Sequence, residues 1–179
     1  MSAPSSNQPL FLTRVASFVA VGVVLGYVLM AVPNVELITA TCFAAGYCLG
    51  PVGGILVGAL TEFLFAGFHP TGSSFGLLLI AQILGMLFVG FAGGKLAKYL
   101  ENPQKAAARR ILFLAGFLLT FIFDILTNLA FPVQAGFSLY QTLVTLIAGI
   151  GFSVVHIISN ALIFAIVLPP LLIRLRKLV

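Results

Sequence analysis

The sequence predicts an all-α integral membrane protein, a bundle of six transmembrane helices with both termini on the cytoplasmic side. Three observations carry this reading. The 179 residues are 61% hydrophobic and only 7% charged, a balance that excludes a soluble globular domain. Apolar windows long enough for a hydrocarbon core of about 30 Å recur along the chain. All nine Lys and Arg fall at one end of those windows: Arg14, then Lys95, Lys98, Lys105, Arg109 and Arg110, then Arg174, Arg176 and Lys177. Basic residues are held on the cytoplasmic side during insertion, so the asymmetry orients the chain and demands an even number of crossings.

The elements follow in order within one transmembrane domain, 1–179. A first helix at about 12–32 is read as retained, because its apolar run is too long for a signal peptide and its removal would leave an odd number of crossings. The stretch from about 36 to 68 is interrupted by Gly50-Pro51-Val52-Gly53-Gly54, where a proline among glycines ends a helix. Two segments result, about 36–49 and 52–68. At about 1.5 Å per residue the first spans only about 21 Å, so it is tilted, recessed or half of a re-entrant hairpin. Two crossings are favoured, since re-entrant backbone needs shelter that a chain this small can hardly give. Windows at about 74–98, 108–131 and 142–172 complete the six. The outer connections are then Pro33 to Glu36, Phe68 to Ser74 and Pro132 to Gln141, and the largest inner one runs from Lys95 to Arg110.

Small residues recur at four-residue spacing in Ala16-xxx-Ala20, Gly22-xxx-Gly26, Gly46-xxx-Gly50, Gly54-xxx-Gly58 and Gly90-xxx-Gly94. In lipid this spacing lets helix backbones approach closely, and packing within one bundle accounts for most of the pairs. Cys42 and Cys48 lack CxxC or Cys/His spacing and read as small packing residues. The net charge of +5 expresses topology rather than affinity for nucleic acid.

Ionisable groups inside apolar segments are costly, by about 2.5–3.5 kcal/mol for a central Asp. Glu62, Asp124 and His156 are therefore the first functional candidates, with Gln82, Asn128 and Asn160 as uncharged companions. Counting from the outer helix ends puts Glu62, Gln82, Asp124 and Asn128 in one layer about 5 to 13 Å below the surface, with His156 deeper, near the midplane, as the floor of a pocket. Asp124 and Asn128 share a helix face, as do His156 and Asn160. No Lys or Arg lies in the interior to neutralise Glu62 and Asp124, so these carboxyls are protonated or face water or a ligand. A cavity open to the outside is expected. His69, in the outer loop, covers the ligand or is simply exposed.

Neither HExxH nor GxSxG occurs, and Ser159 lies three residues from His156 with no carboxylate obviously placed to hold that imidazole, so no enzyme is expected. Glu62, Asp124 and His156 come from three helices at different depths, and no metal or cofactor is expected. There is no GxxxxGK[ST], and Lys95 after Gly93-Gly94 lacks the flanking glycine and hydroxyl of a phosphate loop, so any energy source lies elsewhere.

With these residues in place, the chain resembles the substrate-binding S components of energy-coupling-factor (ECF) vitamin transporters. The likeness extends over nearly the whole chain in size and helix layout. Its local carriers are Ala16-xxx-Ala20, Pro33-Asn34-Val35-Glu36-Leu37, Gly46-Tyr-Cys-Leu-Gly50-Pro-Val-Gly53-Gly54, the His69-Pro-Thr-Gly72 loop and His156-Ile-Ile-Ser-Asn160. The resemblance implies a bundle in a bacterial or archaeal cytoplasmic membrane that captures a vitamin or related micronutrient from outside. It would then dock on a transmembrane partner carrying two ATPases. By the same likeness Ala16 and Ala20 face that partner. The outer loops, with Glu36 and His69, and helices 4 to 6 form the pocket. A solitary proton-coupled carrier or channel, with Glu62, Asp124 and His156 relaying protons, is the second reading.

Overall fold

The computed structural model describes residues 7–178. Every regular element among them is helical: α1 (Asn7–Leu29), α2 (Ile38–Gly67), α3 (Gly76–Leu96) with a 3-10 turn (Ala97–Tyr99), α4 (Ala106–Gln134), α5 (Leu139–Leu162), a π-helical segment (Ile163–Val167) and α6 (Leu168–Arg176). The last three run on as one rod. With α2 taken whole, five helical segments are long and apolar enough to cross a membrane, as befits a multi-pass membrane protein.

The count of five, where the sequence predicts six, turns on α2. Helical residues lie on both sides of a break within Ile38–Gly67, for Gly50 has φ 80° and ψ 175°, and Pro51 follows. That combination of positive φ with extended ψ suits glycine alone, and proline cannot donate back to the preceding turn. The chain reverses there. A Cβ on Gly54 would stand 2.7 Å from the Cα of Gly46, two positions that a continuous helix would hold about 12 Å apart. The pairing continues away from the turn: Thr41 and Thr61 both lie against Gly22 of α1, and Ile38 and Phe65 both lie against Gly26. α2 is therefore a hairpin of two arms, 38–49 and 51–67, lying side by side, with the first arm recessed about one turn below Phe68.

Glycine makes the centre of the bundle unusually close. A Cβ on Gly46 or Gly54 would run into the carbonyl oxygen of Gly90, one on Gly58 into that of Met86, and one on Gly93 into that of Phe43. α3 thus lies backbone against backbone on both arms of α2, as small residues permit in lipid. Around this seam the core is filled by Phe43, Val57, Met86, Val89, Leu112, Phe164, Leu168 and Leu172. Phe43 meets Phe164 edge to face at 5.1 Å between ring centroids, which ties the π segment to the first arm of α2. At the basic end, the Tyr47 hydroxyl donates to the Leu100 carbonyl at 3.0 Å. Cys42 and Cys48 are free thiols.

The α4–α5 pair is built differently. A capping box between Ser138 and Gln141 starts α5 at Leu139, three residues before the hydropathy edge, because the cap satisfies N–H groups that hydropathy does not register. α4 likewise continues through Pro132 to Gln134. Asn128 meets Ser153 and Asp124 meets His156, so Gln134 lies level with about residue 147. α5 therefore overshoots the outer end of α4 by about eight residues, roughly 12 Å.

Candidate functional site

The site begins with the register of α5 on α4. His156 and Asn160, one turn apart, both face inward and are buried. The His156 Nδ1 lies 2.7 Å from Asp124 Oδ1, and its Nε2 lies 3.6 Å from Glu36 Oε1. A doubly protonated ring donates toward both carboxylates, whereas a neutral ring can donate to only one. Asn160 Nδ2 donates to the same Glu36 Oε1 at 2.8 Å. Phe123 packs edge-on to the imidazole at 6.0 Å.

Glu36 reaches this cluster because the α1–α2 connection folds over the end of the short first arm of α2. Asn34 takes a positive φ of 57°, and Ser159 Oγ lies 3.0 Å from the Asn34 carbonyl oxygen and 3.0 Å from that of His156. Glu36 Oε2 accepts from the Thr39 backbone N–H at 2.8 Å, in the first turn of α2, where unpaired N–H groups and the helix dipole favour an anion. Burial pushes the Glu36 carboxyl up, but the His156 imidazole and Thr39 outweigh it and hold it below the usual carboxylate range.

Two expectations are corrected here. His156 is not the floor beneath the carboxylate layer: it touches Asp124 directly. Counting from the start of α5 exaggerated its depth, because α5 protrudes past α4. Nor is the imidazole without a carboxylate, since Asp124 holds one nitrogen and Glu36 faces the other. Ser159 spends its hydroxyl on backbone carbonyls rather than on the ring.

The other predicted residues distribute around this cluster. Glu62 is 3% exposed, has no hydrogen-bond partner among the described residues, and lies within charge–charge reach of Glu36 and His156. Gln82 lies about one turn outward of Met86, with its Oε1 buried and unpartnered. Asn128 donates to Ser153 Oγ at 3.1 Å, one turn outward of Asp124. Asp124, Asn128 and Ser153 line a groove of about 300 Å³ between α4 and α5, walled by Phe121, Ile150 and Ile157. The structure does not join His69 to this group. Its Nδ1 lies 2.9 Å from Thr71 Oγ1, and its ring packs on Phe65 and Tyr27 at the outer end of α1. Ala16 and Ala20 point away from the bundle on an exposed face of α1, opposite Gly22 and Gly26, which pack on α2.

Sequence reasoning missed Ser153, Thr120 and the Asn34–Ser159 tether. Ser153 carried a usable signal, because 153, 156 and 160 fall on one helical face. The tether carried none, being a contact between a loop carbonyl and a hydroxyl 125 positions apart. Comparison with protein-family models, curated proteins and solved structures finds no match.

Proposed function

We propose that this chain is the membrane-embedded substrate-capture subunit, or S component, of an ECF-type ABC importer. It binds a vitamin-like micronutrient from outside and passes it on through a transmembrane partner energised by two ATPase subunits. The observation that carries this reading is the convergence of Glu36, Asp124, His156 and Asn160 from three distant parts of the chain, under a tethered outer loop, in an otherwise apolar bundle. Such groups are costly in a membrane and serve a ligand or ion pathway by default. The uncovered Ala16–Ala20 face of α1 adds support, offering a partner helix close approach.

In this reading the two arms of α2 cross separately, giving six crossings with both termini cytoplasmic. A single crossing by α2 would put Lys95 to Arg110 on the opposite side from Arg14, against the charge asymmetry. The protein itself is non-enzymatic and needs no cofactor. A solitary carrier remains the second reading, favoured by the carboxylate–imidazole–carboxylate chain, which could pass a proton. Gentle isolation of the tagged protein from its native membrane, followed by mass spectrometry, tests the first reading. Recovery with a transmembrane partner and paired ATPases is expected. Recovery of the chain alone, together with pH-dependent flux in liposomes holding only this protein, would move the assignment to the carrier.

A further inference from the structure

We infer that the solute taken by this site is a small organic cation or N–H-rich base with an apolar body, and not an anion. The inference rests on the solute-capture reading above and concerns which chemistry that site accepts.

The first support is charge. Of the four acidic residues in the chain, Glu36, Glu62 and Asp124 gather about one imidazole, while Glu101 lies at the basic end. All nine Lys and Arg are at that far end, and the one imidazole beside the groove, His156, is already shared between Asp124 and Glu36. A negative solute in the groove would meet the Asp124 carboxylate across a medium that screens poorly, with the neighbouring imidazole already paired.

The second support is the balance of donors and acceptors. The nitrogen donors of the cluster are already engaged: both His156 nitrogens face carboxylates, Asn160 Nδ2 is held by Glu36, and Asn128 Nδ2 is given to Ser153. The orientation of the Asn160 amide is fixed by chemistry, because an ionised carboxylate only accepts. What remains unpartnered is the other half of each group, Asp124 Oδ2 and Asn160 Oδ1, together with Thr120 Oγ1. Asn160 and Thr120 are 0% exposed and Asp124 is 8% exposed. Thr120 lies one turn from Asp124 on α4, between the contact of Asp124 with His156 and that of Gly116 with the Asn160 backbone. Of the three residues only Asp124 lines the groove, and its unpartnered Oδ2 calls for a ligand that donates.

The third support is shape. The groove beside Asp124 is about 300 Å³, with Asp124, Asn128 and Ser153 on one side and Phe121, Ile125, Leu129, Leu146 and Ile150 around them. That is the low end of ordinary small-molecule sites and suits an apolar body with one polar end.

An isosteric series tests this on the full chain in nanodiscs of neutral lipid, read by thermal unfolding: benzamidine, benzylamine, benzyl alcohol and benzoate, with sodium chloride at matched ionic strength. The two cations should raise the unfolding temperature saturably at concentrations up to about 10 mM, while the alcohol and the anion do not. Asp124→Asn should weaken the response about tenfold. Glu62→Gln, isosteric and outside the hydrogen-bonded chain, supplies the same comparison if the first variant does not fold. Equal stabilisation by benzoate, no response to either cation, an unchanged response in both variants, or a shift reproduced by sodium alone would each overturn the inference. Cation binding without co-isolated ATPases would remove the importer reading and leave the ligand class standing. Co-isolation with no response to the cations would do the reverse.

Discussion

Between α2 and α3 the helices meet backbone to backbone through Gly46, Gly54, Gly58, Gly90 and Gly93, whereas between α4 and α5 they meet through Asp124, Asn128, Ser153, His156 and Asn160. The first seam has no room for a single added carbon. The second has a groove, unpartnered oxygens and a helix that overshoots its neighbour. Under the proposed function the contrast separates two duties within one small bundle. In lipid there is little hydrophobic force between helices, so close van der Waals contact must hold the scaffold. A site that takes and releases a solute needs the opposite, polar groups whose bonds can be exchanged.

The comparison can be broken at its tight side first. Gly90→Leu forces a side chain into the carbonyl of Gly54, and overpacking of this kind costs about 3 kcal/mol or more. Little monodisperse folded protein should survive detergent extraction, and a normal yield with an unchanged melting temperature would show that the seam is slack.

Next in size is the removal of the imidazole. His156→Ala leaves Asp124 and Glu36 without their shared partner, and losing one member of a buried pair costs about 3 kcal/mol. Thermal unfolding should show a large fall for His156→Ala and a smaller one for Asp124→Asn, which keeps a hydrogen-bonding oxygen.

Smaller still is the loop. Glu36→Gln keeps groups that can reach Asn160 and Thr39 but loses the charge, worth about 1 kcal/mol, and hydrogen exchange across residues 30–37 should quicken while α2 and α3 stay protected. The pH dependence follows the same carboxylate. Its value is held below the ordinary 4.5, so its contribution is complete above that pH and is lost as the pH falls through the lowered value. Protection of residues 30–37 in the wild type should therefore fade only in strong acid, and fading near neutrality would detach the loop from Glu36.

The smallest effects belong to surfaces that touch nothing in the bundle. Gly149→Ala on α5 has open space for its methyl and should stabilise by about 0.5 kcal/mol through lost backbone freedom. If the importer proposal holds, Ala20→Leu should leave the melting temperature and isolated ligand binding unchanged while weakening association with the proposed transmembrane partner. Full co-isolation of that variant would take Ala20 out of the interface.

The parts of the site legible in the sequence were those that membrane cost alone makes conspicuous. Glu62, Asp124 and His156 stand out because a charge is expensive in hydrocarbon, and the Asp124–Asn128 and His156–Asn160 faces follow from helical spacing. The sequence puts His69 in the outer loop with its role open, and there it bonds Thr71 and packs on Phe65 and Tyr27, apart from the cluster. Depth misled for His156, because a helix start read from hydropathy does not say how far the helix projects beyond its neighbour.

By itself the sequence determined that the chain is helical, that it belongs in a membrane, and that Gly50-Pro51 breaks the second helix, since each follows from composition or local backbone sterics. Only the tertiary structure decided that the break is a full reversal with arms in contact, that α3 fills the space against both arms, and that Glu36 joins His156 and Asp124. Those are contacts between residues tens of positions apart, fixed by how close two backbones can come and by which donors remain to meet which acceptors.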